Sequence, residues 1–254
     1  MEQIIKQRVL LEKIREKCSK TSKKGVSIIL ATNKPKYASN IFSNYKRIKY
    51  PYMELIIVLN NNNLKIEDYK IKAENLDNVR IFQLDESCTL GECLNFAVEK
   101  SKYDYISKMD DDDYYGTNYI TDLMNAFKYT DAVITGKQSC FIYFEYNNML
   151  GILSPNFENK YVSGDIAGGT ITFKKEIFKD IKFRYLNKDG TDNYFLQDCD
   201  KAGKKMFSAD KFNYVYIKHK NLKEHTWKIN SEELMKFYCK KLMETKNFTS
   251  FITV

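Results

Sequence analysis

Short apolar runs rich in β-branched residues alternate with stretches of helical pattern through the first half of this chain. The runs are predicted strands, at 26–32, 54–60, 78–84 and 103–109. Strands of this length separated by helices of about ten residues are typical of βαβ units, which build a parallel sheet. We therefore predict an α/β fold with a mostly parallel central sheet flanked by helices.

The remaining pattern favours one domain rather than two. A hydrophobic fraction of 43% in 254 residues is enough for a single substantial core, and no linker or repeat interrupts the chain. We expect a helical extension over 1–24, a main domain over 25–230 and a C-terminal helix within 231–254 that packs on the domain. Further helices are predicted near 37–48, 66–76, 89–101, 117–127, 192–203 and 231–246, and short strands near 205–208 and 213–218.

Composition narrows the classes of function. The net charge of +8 suits an anionic partner, but most lysines are scattered, so no nucleic-acid partner is expected. The denser basic segment 17–24 follows an apolar helical face, which predicts docking on the domain and leaves a peripheral membrane or partner contact open. The six cysteines form no CxxC pair, so neither zinc nor thiol exchange is indicated. Without an apolar signal-peptide core or a membrane-length apolar run, a cytoplasmic protein is expected.

Polar residues follow three of the predicted strands where each strand ends. They are Thr32 and Asn33, Asn60, and the run Asp110–Asp113. Ligands of open parallel sheets bind outside the carboxyl ends of the strands. We therefore expect these residues to line one crevice.

Four adjacent carboxylates repel one another unless water, a cation or N–H groups take up the charge. The x-D-x-D spacing suits Mg²⁺ or Mn²⁺, which take one or two protein carboxylates and fill their other positions with water and phosphate oxygens. An EF-hand is excluded because Tyr115 stands where glycine is needed, and no dinucleotide or P-loop glycine motif occurs. The simpler alternative is an acidic turn that caps the helix beginning at 117.

From Val26 to about Trp227 the chain resembles the family 2 glycosyltransferases, which share the GT-A nucleotide-sugar fold. The family's D-x-D-D element is matched by Asp110–Asp113. The resemblance implies that Asp110 faces the ribose side of the donor and that Asp112 ligates the divalent metal. Asn95 occupies the family's asparagine position upstream, preceded by Leu94 instead of arginine. Asn60 stands where the family carries an acidic nucleoside contact.

Two later segments extend the resemblance. "AGGTITFKKEIF" (167–178) and "DGTDNYFLQDCDKAG" (189–203) resemble the family's acceptor and base segments, with Thr191 in the glutamate position and Asp192 as the general base. The alternative for Asp192 is a helix N-cap, in which case Asp189, Glu158 or Asp165 would be the base. "HTW" at 225–227 implies a metal or diphosphate contact by His225, which otherwise is an ordinary packed histidine.

The resemblance implies an inverting glycosyltransferase that uses Mn²⁺ or Mg²⁺ and a nucleoside-diphosphate sugar, with a UDP-sugar as the expected donor. The expected acceptor is a glycan, a lipid-linked molecule or a protein, in bacterial surface glycan or glycoconjugate synthesis. The alternatives are a sugar-nucleotide nucleotidyltransferase and a non-catalytic metal- or glycan-binding module. The candidate residues are Asp192 for catalysis; Thr32, Asn33, Asn60, Asn95, Asp110 and Asp111 for the donor; and Asp112, Asp110 and His225 for the metal.

Overall fold

A computed structural model of the chain describes residues 2–187, 189–221 and 229–254. The strands are β1 (Val26–Thr32), β2 (Met53–Leu59), β3 (Val79–Gln83), β4 (Tyr105–Lys108), β5 (Tyr114–Tyr115), β6 (Ile134–Gly136), β7 (Cys140–Phe144), β8 (Met149–Leu153), β9 (Lys160–Val162), β10 (Thr172–Lys174), β11 (Met206–Ser208), β12 (Tyr214–Lys218) and β13 (Cys239–Glu244). The α-helices are α1 (Glu2–Ser19), α2 (Ala38–Arg47), α3 (Ile66–Ala73), α4 (Leu90–Lys100), α5 (Tyr119–Tyr129), α6 (Thr191–Lys201), α7 (Ser231–Phe237) and α8 (Thr249–Ile252).

The main sheet confirms the α/β prediction. Its strands lie in the order β3-β2-β1-β4-β10-β6-β11-β9, and β3, β2, β1 and β4 are parallel neighbours. β1 and β2 are buried along almost their whole length because helices cover both faces of the sheet. Ile28 and Leu30 belong to the core cluster that includes Phe42 of α2, whereas Ile29 belongs to the opposite cluster with Leu94 of α4.

A reversal in strand direction builds the edge where the site lies. β10 runs antiparallel to β4, with Thr172 opposite Ser107. The start of β10 therefore lies beside the end of β4, and the 3₁₀ turn Gly168–Thr170 that precedes β10 meets the aspartates that follow β4. Residues about sixty positions apart in the chain are brought together in this way.

A second sheet, in the order β13-β8-β7-β12-β5, was not predicted from the sequence. Its strands are short, and pairings such as that of β12 with β5 join segments far apart in the chain. β propensity depends on such partners more than on local sequence, so the pattern alone does not reveal them. β5 directly follows the aspartates, and the second sheet therefore helps to hold the acidic loop.

The predicted C-terminal helix over 231–246 is wrong beyond Phe237. α7 ends there, and Cys239–Glu244 forms β13, antiparallel to β8. The exposed backbone edge of β8 offers hydrogen bonds that outweigh the local helical preference of this segment.

The N-terminal extension is helical, as predicted, and α1 lies against the domain. Leu11 is buried in a cluster with Phe212 and Ile252. Arg15 forms a bidentate ion pair with Asp122 of α5, with N–O distances of 2.7 and 2.8 Å. Across the described ranges, none of the helices is both long and apolar enough to cross a membrane.

Candidate active site

The four adjacent aspartates have four different environments. Asp110 Oδ1 accepts a hydrogen bond of 2.5 Å from the ammonium of Lys108. Asp111 Oδ2 accepts one of 2.5 Å from the hydroxyl of Thr32 at the end of β1. Asp113 accepts from the Tyr214 hydroxyl at 2.6 Å and from the backbone N–H of residue 217 at 3.0 Å. Asp113 is thus a structural anchor between the acidic loop and the second sheet.

Burial raises the pKa values of three of the four aspartates in this loop. It raises the pKa of Asp111 to about 7, with a further contribution from the charge of Asp112. It raises the pKa of Asp113 well above the ordinary value. It also raises the pKa of Asp112, to which the charge of Asp110 adds, while Lys34 acts in the opposite direction. Burial and the repulsion between neighbouring carboxylates therefore both oppose the charged forms of these three aspartates.

Two asparagines of α2 clamp the backbone of the acidic loop. The Asn40 side chain donates to the carbonyls of Asp111 and Asp113 at 2.8 and 2.9 Å. Asn44 donates to the carbonyl of Asp113 at 2.8 Å and accepts from the N–H of Tyr115 at 3.1 Å. Neither residue was predicted from the sequence. Their signal is two amide side chains four positions apart, which places them on one face of the helix.

Asp112 faces His219, which lies just after β12. The distance from His219 Nε2 to Asp112 Oδ2 is 3.8 Å, and His219 Nδ1 lies 3.0 Å from Glu145 Oε2. The histidine predicted from the sequence to contact the metal or diphosphate, His225, lies outside the described residues. His219 was missed because no motif marks it, and only the pairing of β12 with β5 brings it to the acidic loop.

The residues around Asp112 fit a divalent metal in part. The residues described contain no group of three or more His, Cys, Asp or Glu side chains arranged to hold a metal alone. However, a carboxylate whose burial raises its pKa, with a histidine nitrogen nearby, is an oxygen- and nitrogen-donor set that Mn²⁺ accepts. Metals of this kind take remaining ligands from substrate phosphates and water. The site thus fits a metal that binds together with a diphosphate.

Asp192 lies in the first turn of α6 and reaches the same lysine as Asp110. The distance from Lys108 Nζ to Asp192 Oδ2 is 3.0 Å. Gly190, not Asp192, occupies the N-cap position of α6, so the capping alternative does not describe Asp192. The other carboxylate oxygen, Oδ1, is buried and has no hydrogen-bond partner within the described chain. Burial raises the pKa of Asp192, and the charge of Lys108 lowers it.

Two glycines let Asp192 and the acidic loop approach the 3₁₀ turn. A Cβ atom at Gly168 would lie 2.3 Å from Asp192 Oδ2. A Cβ atom at Gly169 would lie 2.8 Å from Asp110 Oδ2 and 2.9 Å from the hydroxyl of Tyr115. Tyr115 fixes this contact, because its hydroxyl donates to the carbonyl of Gly169 at 2.8 Å and accepts from the N–H of Asp110 at 2.7 Å.

Asn33 and Asn60 lie at the same edge, where the N–H of Asn60 donates to the carbonyl of Thr32. Asn60 donates to the carbonyl of Asp85 at 2.9 Å, and Asn33 is exposed next to it across the loop. Asn95 is buried, and both polar atoms of its amide are used by the backbone of Phe183, at 2.9 and 3.0 Å. Asn95 therefore bridges α4 and the segment before α6, and this pairing explains its buried amide without a ligand.

The alternative bases are placed less favourably. Glu158 is buried beneath α1, where Gln7 donates to it at 2.7 Å and Lys211 also pairs with it. Asp165 and Asp189 are exposed. Of the four carboxylates considered, Asp192 alone contacts the lysine that also holds the acidic loop.

Comparison with known proteins assigns the chain to a family. The model of glycosyl transferase family 2 matches residues 27–182, and the chain belongs to this family. Its fold is that of the GT-A glycosyltransferases. No curated protein matches the chain at a significant level.

Solved structures of low sequence identity share the fold. TarS residues 1–349 of S. aureus in complex with UDP-GlcNAc has a TM-score of 0.60 at 17% identity, covering 83% of this chain and 64% of that one. The mannosyltransferase PcManGT of Pyrobaculum calidifontis in complex with GDP-Man and Mn²⁺ has a TM-score of 0.58 at 11% identity, covering 84% and 65%. The present chain thus spans a little under two thirds of the chains in these two structures.

Proposed function

We propose that this chain is a metal-dependent, inverting glycosyltransferase that moves a sugar from a nucleoside-diphosphate sugar to an acceptor hydroxyl. A UDP-sugar is the donor we favour, and the acceptor is a glycan, a lipid-linked molecule or a protein of a bacterial surface pathway in the cytoplasm. The observation that carries the proposal is the placement of Asp192. A carboxylate with one unpartnered oxygen lies across a single lysine from the acidic loop.

The donor side of the proposal rests on the charge of the acidic loop. Asp112 would hold Mn²⁺ or Mg²⁺ with the donor diphosphate, and His219 is the histidine placed to assist. When bound, the metal supplies a positive charge that offsets the negative charge developing on the diphosphate. Thr32, Asn33, Asn60, Asp110 and Asp111 would line the nucleoside and ribose side. The structures bound to UDP-GlcNAc and to GDP-Man with Mn²⁺ support a donor of this class.

The acceptor side rests on Asp192. A general base must reach the proton that it removes and must be ionised when it does so. An acceptor hydroxyl that donates to Oδ1 would satisfy the atom that is unpartnered now. The charge of Lys108 favours the ionised form of Asp192, against burial. With the base on the acceptor and no carboxylate assigned as nucleophile, a single displacement inverts the anomeric centre.

The test is incubation of the purified protein with a panel of UDP-, GDP- and CMP-sugars, with Mn²⁺, with Mg²⁺ and with EDTA. We expect slow hydrolysis of one donor, and faster transfer once an acceptor is added, both dependent on the metal. NMR of the product should show an anomeric configuration opposite to that of the donor.

The same panel separates the alternatives. A nucleotidyltransferase would exchange pyrophosphate into the sugar nucleotide, and a binding module would bind without turnover. Either result, or equal turnover with EDTA and with metal, would contradict the proposal.

A further inference from the structure

We propose that Lys108 is a positioning residue that holds Asp192 at the acidic loop and thereby sets the rate of sugar transfer rather than the affinity for the donor. Lys108 is the last residue of β4, and neither the family motif nor the predicted site includes it. The inference rests on the proposed function, since it assigns Lys108 a role in the same reaction.

The ammonium of Lys108 has three acceptors, each from a different part of the site. Nζ lies 2.5 Å from Asp110 Oδ1, 3.0 Å from Asp192 Oδ2 and 3.3 Å from the carbonyl of Gly168. An ammonium has three donors and no acceptor, so this set accounts for all of them. One side chain thus joins the donor loop, the glycine turn and the helix that carries the base.

The side chain of Lys108 is only 3% exposed. Burial alone would lower the pKa of its ammonium, but the carboxylates of Asp110 and Asp192 outweigh burial and raise that pKa. A buried charge of this kind persists only with partners that offset its desolvation. Without the lysine, two carboxylates would face each other with no cation between them, and Asp192 would lose the contact that orients Oδ2.

In the described contacts, no second hydrogen bond or ion pair orients the side chain of Asp192. Its Oδ2 is held by Lys108, its Oδ1 is unpartnered, and it does not cap its own helix. Asp110, in contrast, is also held through its backbone N–H, which donates to the hydroxyl of Tyr115. Loss of Lys108 should therefore disturb the base more than the donor loop.

The experiment is a double-mutant cycle of Lys108→Met and Asp192→Asn, with kcat for transfer and donor Kd measured for each variant. A misplacement of about 1 Å can cost about 10²-fold in rate, so we expect Lys108→Met to lower kcat by about that factor. Donor Kd should stay near the wild-type value. In the Asp192→Asn background, Lys108→Met should have little further effect, because a residue that acts through the base has nothing left to position.

Lys211→Met is the matched control, since Lys211 is also a buried lysine paired with a carboxylate, but beneath α1. It should lower stability and leave the kcat of folded protein unchanged. Should Lys108→Met fail to fold, Lys108→Arg takes its place in the cycle. Arginine keeps the charge, but its planar guanidinium does not match the three acceptors, so kcat should again fall without loss of donor affinity.

Two results would overturn the inference. One is a loss that appears in donor Kd and persists in the Asp192→Asn background, which would mean that Lys108 acts through Asp110. The other is a near-normal kcat for folded Lys108 variants. Both require an active wild type, whereas a wild type that neither hydrolyses nor transfers any donor would contradict the proposed function itself.

Discussion

Two regions of this molecule bury charged side chains, and they do so in opposite ways. Beneath α1 the charges are matched one to one, in the pairs Arg15–Asp122, Lys137–Asp210 and Lys211–Glu158. At the edge of the main sheet, Asp110 and Asp192 share one ammonium, and burial raises the pKa values of Asp111, Asp112 and Asp113.

The difference lies in how buried charge is balanced. Beneath α1 burial also raises the pKa of one carboxyl, that of Asp122, to about 6, but each carboxylate there has its own cation. Buried carboxylates in excess of their cations destabilise the free protein and are relieved by a bound cation. At the edge of the sheet two carboxylates share one lysine, and the charge there is not paired one to one.

The largest effect that we expect comes from Asp192→Asn at the edge. Removal of a general base lowers transfer by about 10²–10⁴-fold, while donor and metal affinity should hardly change. Steady-state transfer kinetics and donor titration by calorimetry measure the two quantities. Asp189→Asn is the matched control because Asp189 is exposed on the preceding loop. Near-normal turnover of the Asp192→Asn variant would contradict the assignment of Asp192 as the general base.

The matched region should respond in stability instead. Arg15→Met removes the ion-pair partner of Asp122, whose side chain is 0% exposed and would keep the hydrogen bond from Asn213. We expect a loss of about 3–5 kcal/mol in the free energy of unfolding. Urea denaturation measures it. The exposed pair Glu67–Lys70 is the control, and Glu67→Gln should change stability by less than about 0.5 kcal/mol. A lower kcat for folded Arg15→Met protein would contradict the distinction between the two regions.

The glycine turn allows the two halves of the site to be disturbed separately. Gly168→Ala places a Cβ against Asp192, so we expect kcat for transfer to fall by about 10²-fold with donor affinity retained. Gly169→Ala places a Cβ against Asp110 and Tyr115, so the loss should fall on donor affinity. Calorimetry and initial rates on both variants distinguish them. The reverse assignment would contradict the proposed division into donor and acceptor sides.

Asp112→Asn tests the unmatched charge directly. Donor affinity in the presence of Mn²⁺ should drop by about 10–100-fold, since even residues that only support a metal ligand are worth that much. The stability of the free protein should not fall, because one of several mutually repelling carboxylates is removed. Calorimetry with Mn²⁺ and with EDTA gives the first quantity and urea denaturation the second. Equal affinity of the wild type in both solutions would contradict the metal site.

The smallest effect concerns pH and the matched region. Burial opposes the charged form of Glu158, but hydrogen bonds, first that of Lys211, lower its pKa to about 2 from an ordinary value of 4.5. A carboxyl group whose pKa is lower in the folded than in the unfolded state stabilises the fold at pH values above the unfolded-state pKa. This stabilisation is lost as the pH falls toward the folded-state pKa. By about pH 3.5 the loss is roughly 1 kcal/mol. Urea denaturation at several pH values, on the wild type and on Glu158→Gln, measures the free energy of unfolding against pH. The loss at low pH should occur in the wild type only.

The parallel strands β1 to β4 and the acidic loop were predictable because the sequence patterns that indicate them are local. Each of β1 to β4 lies within two residues of its predicted run, and the acidic loop follows β4 as expected. The second sheet, His219 and the two clamping asparagines of α2 were not predicted, since each depends on a partner far along the chain. The error at β13 has the same origin, because β8, its partner, lies far earlier in the chain.

By itself the sequence determined that the chain forms a parallel α/β sheet and that four carboxylates follow its fourth strand. Periodicity and residue order carry that information without reference to distant contacts. Only the tertiary structure decided how the four differ: Asp113 is an anchor, Asp111 is bound to Thr32, and Asp110 is joined to Asp192 through Lys108. Four identical letters acquire different roles because burial and hydrogen-bond partners, not residue type, set the charge and orientation of a carboxylate.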